Sequence, residues 1–201
     1  MNLEPIFKSL VQALGERLSG LEREGKTFKT LSEDTICFSL AAGFMQEGLP
    51  AHSIEMEVRH PILAKESETA VDIRVLTPQG PIWIEVKFDK AVSGFNTHLG
   101  NLLNDLCRLA LIQEGTALML YISPKEMAEQ LADFNRQVLG MDANPIALDE
   151  ALFKKLPPYA RKRLKELVIE KLDGTKVFTK YCGPEPIHSL VCLLYEVRSR
   201  P

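Results

Sequence analysis

No two cysteines in this sequence stand as CxxC, and no histidine lies at zinc-finger spacing from any of the four, Cys37, Cys107, Cys182 and Cys192. That argues against the common structural zinc motifs. Three of the four sit inside apolar stretches, where a free thiol behaves as a small hydrophobe, so they read as reduced core residues of a cytoplasmic protein. The opening Met-Asn-Leu-Glu-Pro lacks a basic segment followed by an apolar run, so no signal peptide is expected. Apolar runs such as Leu190 to Tyr195 are far too short to span a bilayer, and no membrane partner is expected. Charge of one sign is also scarce: 24 Lys and Arg against 27 Asp and Glu leave a formal net charge of -3. A global polycation is excluded, and any contact with nucleic acid has to come from a local patch. Internal repeats and low-complexity tracts are absent.

What is present is an ordinary globular composition, 45% hydrophobic and 25% charged over 201 residues. That length suits a single domain and can bury a sizeable core without staples. Ile6, Leu10, Leu14, Leu18 and Leu21 recur at helical spacing, and the charged stretch 22–29 ends that helix. A second helix opens at Ser32, a plausible N-cap, and runs through Ile36, Leu40 and Phe44 to about Gly48. The period then changes to two. Residues 54–58, 71–76 and 82–88 read as strands, the first ended by Pro61. Residues 98–112 return to helical spacing with Gly115 as the C′ residue. Residues 117–122 form a fully apolar strand suited to a buried central position, and a further helix starts at Ser123-Pro124 and reaches about Leu139. Beyond Gly140, residues 148–155 and 158–164 read as short helices. Residues 168–178 read as a β-hairpin on Asp173-Gly174, and 189–197 as a last strand.

Chemistry concentrates in the middle hairpin. A turn centred between Pro78 and Gln79 sets Asp72 opposite Glu85, with their Cβ atoms about 4.5–5.5 Å apart. Lys87, two residues on, shares that face with Trp83, while Val71, Ile73, Val75, Ile84, Val86 and Phe88 make a core-facing surface on the other. Apposed carboxylates cost stability unless something offsets them, and a hard Mg²⁺ or Mn²⁺ ion takes oxygen ligands of this kind. Asp72, Glu85 and the carbonyl of Val86 are the expected metal ligands. Lys87 stands where it could position an attacking water or stabilise charge in the transition state.

Ala70-Val71-Asp72, a spacer and Ile84-Glu85-Val86-Lys87 resemble the D…ExK signature of the PD-(D/E)XK nuclease superfamily. Val71 stands where the family name has a proline. The resemblance implies a restriction-endonuclease-like α/β core over residues 31–122: helix, three-stranded meander, helix and strand, in a mixed sheet flanked by helices. A C-terminal α+β extension with a hairpin, residues 141–201, would complete the single domain 1–201. It also implies a metal-dependent hydrolase of phosphodiester bonds acting on DNA. An acidic residue on the helix before the meander is a further family feature, and Glu33 fits that catalytic position best, with Asp34 second. Asn101, Asp105 and Arg108 resemble a helical Lys, Asp and Arg-Leu pattern, with Asn101 in place of the lysine.

Each residue also has a plainer reading. Glu33 favours its helix dipole, Arg108 pairs with Asp105 at i, i+3, and Trp83 is a half-buried strand aromatic. Of the four histidines only His98, opening the helix after the ExK strand, is placed to approach the site. Lys154, Lys155, Arg161, Lys162, Arg163 and Lys165 form a basic cluster that is a solvated helical face or a phosphate contact. The alternatives to an enzyme are a non-catalytic module of the same fold that binds nucleic acid or a protein. A third is an accessory protein whose hairpin and C-terminal strand pair with another subunit. A homodimer stays open.

Overall fold

The computed structural model describes residues 3–66, 70–91, 93–138, 146–158, 175–181 and 189–198. Helix α1 (Glu4–Arg23) carries Pro5 in its first turn, where the missing N–H has no intrahelical partner to lose. It buries Ile6, Leu10, Leu14 and Leu18 of the expected stripe together with Phe7, while Leu21 is only half-buried. Helix α2 (Glu33–Gln46) starts at Ser32, whose Oγ accepts the Thr35 N–H at 3.2 Å, as an N-cap should. Strands β1 (Ile54–Val58), β2 (Val71–Thr77) and β3 (Gly80–Phe88) form an antiparallel meander. Pro61 ends β1 and also opens a helix too short for periodicity to reveal, α3 (Pro61–Glu66).

Helix α4 (Phe95–Ala110) then crosses over, so that β4 (Thr116–Pro124) lies parallel to β3. Ala117, Met119 and Tyr121 face one half of the core, and Leu118, Leu120 and Ile122 face the other. This strand is therefore covered on both sides, which explains its unbroken apolar sequence. β4 runs on through Ser123 and Pro124, and α5 (Lys125–Val138) begins after them. Gly115 does not close α4, whose C-cap is Leu111. Its φ is 73°, and a Cβ at that position would sit 1.9 Å from the Pro81 carbonyl oxygen. The glycine instead lets the chain entering β4 pass against the start of β3.

The described strands of the C-terminal part join the main sheet. They are β5 (Ile146–Leu148), β6 (Thr175–Tyr181) and β7 (Leu190–Arg198), and the sheet order is β1-β2-β3-β4-β7-β6-β5. β7 is hydrogen-bonded to β4 on one side and, from Leu193 to Arg198, to β6 on the other, so it is an interior strand of the sheet. Leu190, Val191, Cys192, Leu194, Tyr195 and Val197 are all buried, a strand too apolar to leave at an edge. Leu148 belongs to β5, and the short helix after it is α6 (Glu150–Lys155), capped by Asp149, whose Oδ1 accepts the Leu152 N–H at 2.8 Å. Residues 168–174 of the expected hairpin and 159–164 of the expected helix lie outside the described residues.

The chain is thus a mixed α/β protein with a seven-stranded mixed sheet flanked by helices. α1 and α2 pack on one face over Ile73, Val75, Ile84, Val86 and Leu120. α4 covers the other face over Trp83, Met119 and Tyr121, with Leu131 of α5 and Leu152 and Phe153 of α6 in the same cluster. Cys37, Cys107 and Cys192 are buried and free, and burial pushes all three thiols up, away from the thiolate form a nucleophile needs. Cys182 lies outside the described residues. No helix of the described residues is long and apolar enough to cross a membrane.

Candidate active site

The β2–β3 turn fixes the register of the site. Rungs run from Thr77 opposite Gly80 to Ile73 opposite Ile84, the pairing that a turn centred between Pro78 and Gln79 requires. The next residues along the ladder are Asp72 and Glu85. There a side chain takes over from the backbone: the Val86 N–H donates to Asp72 Oδ2 at 2.6 Å. In an extended strand the N–H and C=O of one residue lie on the same side, so the Val86 carbonyl also points toward β2 at this level. Val71, one residue further, leaves the face of Ile73 and Val75 and packs in the cluster of Leu63 and Trp83. The expected continuous face therefore breaks at Val71, beyond the last β2–β3 rung, where only β1 still pairs with the strand, Val58 opposite Val71.

Three elements furnish the groups around this break. Glu85 projects from β3 toward α4 and is nearly covered, its side chain 12% exposed. Arg108 of α4 meets it through Nη1 at 3.4 Å, and the same nitrogen donates to Asp105 Oδ1 at 3.1 Å. Arg108 Nη2 donates to the Ala70 carbonyl at 3.2 Å, tying the helix to the start of β2. Lys87 extends toward α2, where its Nζ lies 3.2 Å from Glu33 Oε1. This end of the site opens to solvent: the Glu33 side chain is 41% exposed and that of Lys87 27%.

Burial and crowding set the charge states. Burial, then the neighbouring charges of Glu33 and Glu57, push Asp72 up to about 6, against the Val86 hydrogen bond and Lys87. Burial, with Asp72 and Asp105 adding to it, pushes Glu85 higher still, to about 8, against Arg108 and Lys87. Burial also raises Asp105, although Arg108 and Lys87 oppose it. Desolvation works against the Lys87 ammonium, but Glu33, Asp105 and Asp89 outweigh it and hold its pKa above the usual lysine value. The result is a deep pair of carboxyls that resist ionising together, beside an ammonium at the open rim.

The sequence pattern gathers Asp72, Glu85, Lys87, Glu33 and Val86, and the structure sets them around the end of the β2–β3 ladder in separate contacts: Asp72 on the Val86 N–H, Lys87 on Glu33, and Glu85 beside Arg108. Arg108 meets Asp105 as its plainer reading requires, but it also reaches Glu85. Asp34 lies on α2 and joins none of these contacts. Trp83 is 1% exposed, so no base can stack on it. The Arg74 guanidinium, 5.3 Å from its ring, and His60, edge-on at 4.9 Å, cover it, while Arg74 itself pairs with Glu55. Lys154 and Lys155 are exposed on α6, and residues 161–165 lie outside the described residues. Two residues escape the sequence pattern. Asp89 is buried, accepts the Tyr121 hydroxyl at 2.6 Å and sits 2.6 Å from His98 Nδ1. Period two points to Asp89, since 85, 87 and 89 alternate on one face. Tyr121 stands directly beside Lys87 in the parallel β3–β4 register.

Asp72, Glu85 and the Val86 carbonyl are the groups here that could hold a divalent cation. Asp72 and Glu85 bring hard carboxylate oxygens, with Arg108 already beside Glu85, and the Val86 carbonyl turns to the same side as the Asp72 carboxylate. Among the described residues no group of three or more His, Cys, Asp or Glu side chains is placed to hold a metal. A two-carboxylate centre would therefore complete its coordination with the Val86 carbonyl and with water, which Mg²⁺ keeps readily.

Comparison of the chain with protein-family models, with curated proteins and with solved structures returned no match in any of the three.

Proposed function

We propose that this chain is a metal-dependent nuclease of the PD-(D/E)XK type, hydrolysing phosphodiester bonds in DNA around a restriction-endonuclease-like core. The observation that carries the reading is the break in the β2–β3 ladder: Asp72 turns its carboxylate onto the Val86 N–H next to Glu85, with Lys87 one residue on. The element order around it, α2, the β1–β3 meander, α4 and β4, supports the same reading.

In this proposal Asp72, Glu85 and the Val86 carbonyl would hold Mg²⁺ or Mn²⁺. Such an ion, when bound, lowers the pKa of water and offsets charge on phosphate oxygens. Lys87 does the rest of the electrostatic work. Held by Glu33 with its pKa raised, it stays an ammonium through neutral pH. It is therefore a hydrogen-bond donor to a phosphate oxygen or to the attacking water, and not the base that deprotonates that water. Glu33 fixes its direction. The open rim at Lys87 and Glu33 is the side from which a phosphodiester would enter.

The test is cleavage of single- and double-stranded DNA, with RNA in parallel, in Mg²⁺, Mn²⁺ or EDTA. Lys87→Met is expected to lose about 10²–10³-fold in rate, the size of one removed electrostatic stabiliser. Absence of cleavage by the wild type, or equal cleavage by Lys87→Met, overturns the proposal.

One observation favours a second reading, a binding module without turnover. Glu85 and Glu33 each already have a cation of the chain beside them, Arg108 and Lys87. A module would bind DNA in EDTA as well as in Mg²⁺, and Asp72→Asn would leave that binding unchanged.

A further inference from the structure

We infer that Arg108 is the built-in counter-cation of this site, a guanidinium that occupies Glu85 while no divalent ion is bound and releases it when one binds. The inference rests on the metal site proposed above and adds to it what sets the affinity.

Arg108 is 8% exposed, so its charge is kept from water and needs partners. Its partners are unequal. One nitrogen, Nη1, is shared between Asp105 at 3.1 Å and Glu85 at 3.4 Å. Nη2 goes to the Ala70 carbonyl at 3.2 Å. An arginine committed to one carboxylate takes a two-pronged geometry, and this one is two-pronged on neither acid. Nε is buried and has no hydrogen-bond partner among the described residues, so the fork holds a donor in reserve. The longest of its three contacts is the one to Glu85, the proposed ligand. Arg108 can therefore let go of Glu85 and stay anchored by Asp105 and the Ala70 carbonyl.

Charge argues the same way. Glu85 and Asp105 both face this guanidinium, and Asp72 adds its own charge to Glu85. A dication held by Asp72 and Glu85 meets the guanidinium across the same carboxylate and repels it. Ion and arginine compete for Glu85, and the arginine lowers the affinity the two carboxylates would otherwise have.

Titration calorimetry of the full chain with MnCl₂ tests this, with thermal unfolding as a check that each variant folds. Arg108→Gln is expected to bind Mn²⁺ roughly tenfold more tightly than the wild type, and Arg108→Lys, which restores a cation, close to the wild type. Equal or weaker binding by Arg108→Gln overturns the inference. If Arg108→Gln fails to fold, Asp105→Asn reports instead. With Asp105 neutral the guanidinium turns to Glu85, so Mn²⁺ should bind several-fold more weakly, and equal or tighter binding overturns the inference. Asp72→Asn separates the two levels. Unchanged Mn²⁺ binding in Asp72→Asn sinks the metal site itself. Binding lost there but unchanged in Arg108→Gln sinks only the counter-cation. No binding by any variant sinks both.

Discussion

Glu33 Oε1 accepts the Phe88 N–H at 2.9 Å and lies 3.2 Å from Lys87 Nζ, so one carboxylate from the first turn of α2 grips both backbone and side chain at the end of β3. Glu33 and Phe88 are 55 apart in sequence, and the contact joins the helical layer to the sheet at the mouth of the site. Glu33→Gln keeps the shape and the Phe88 acceptor but removes the charge. With its largest raising partner gone, the Lys87 pKa should fall, which a heteronuclear NMR titration of the lysine Cε–Hε signals reads directly. The weaker hydrogen bond should also cost about 1 kcal/mol of stability. An unmoved Lys87 titration would show that Glu33 does not control its charge.

Stability should fall as pH rises from about 4 to about 8 because of Asp72 and Glu85. Both carboxyls are raised in the folded chain, to about 6 and about 8, from ordinary values near 3.8 and 4.5. Below the unfolded values both are protonated in either state and cost nothing. Between the unfolded and folded values the unfolded chain releases protons that the folded chain retains, so unfolding gains. Above about 8 the loss levels off. Urea unfolding at pH 5 and pH 8 should differ by about 2–4 kcal/mol more in the wild type than in Asp72→Asn/Glu85→Gln. A double variant with the wild-type pH slope would locate the effect elsewhere.

Asp89 and Tyr121 form the buried support beneath Lys87. Tyr121 is 2% exposed, and its hydroxyl donates to Asp89 Oδ2 at 2.6 Å. Tyr121→Phe leaves a buried carboxylate short of a donor at almost unchanged volume. The expected cost is about 1–3 kcal/mol in urea unfolding at neutral pH. A variant as stable as the wild type would mean that water or His98 takes over the bond.

How much of this is legible in the sequence depends on the range of the interaction. The β2–β3 register from Thr77–Gly80 to Ile73–Ile84 is legible because Thr77-Pro78-Gln79-Gly80 fixes a local turn and period two does the rest, whereas the loss of the next rung, at Asp72 and Glu85, is not. The Ser32 cap and the α1 stripe are legible for the same local reasons. Arg108 reaching Ala70 is not, since 38 residues separate them and only the docking of α4 on the sheet joins them. Nor is the place of β7. Its apolar run marks it as a strand, but nothing in a strand's own pattern says which neighbour it will choose. Insertion between β4 and β6 makes it an interior strand of the main sheet. Gly115 reads as a helix terminator because glycine near a helix end usually is one, whereas its cause lies across the sheet at Pro81.

That glycine provides the sharpest test of the parallel β3–β4 pairing that carries Glu85 and Lys87. At φ 73° any other residue is strained, and here the strain comes with a collision: a Cβ would stand 1.9 Å from the Pro81 carbonyl oxygen and 3.0 Å from its Cγ. The oxygen belongs to backbone at the start of β3, so relief requires the strand to shift and not a side chain to rotate. Gly115→Ala should therefore cost about 3 kcal/mol or more, against roughly 1 kcal/mol for an unstrained glycine replacement in the opposite direction. Gly20 sits in α1, where an added Cβ would meet nothing within 4 Å, and is the matched control. Gly20→Ala should hold or raise the melting temperature. Because Ile82 to Phe88 pair with Thr116 to Ile122 directly after this point, a shift there would also move the ladder that aims Glu85 and Lys87. Gly115→Ala protein that melts with the wild type would mean that the close approach of these two strands is not what holds the site in place.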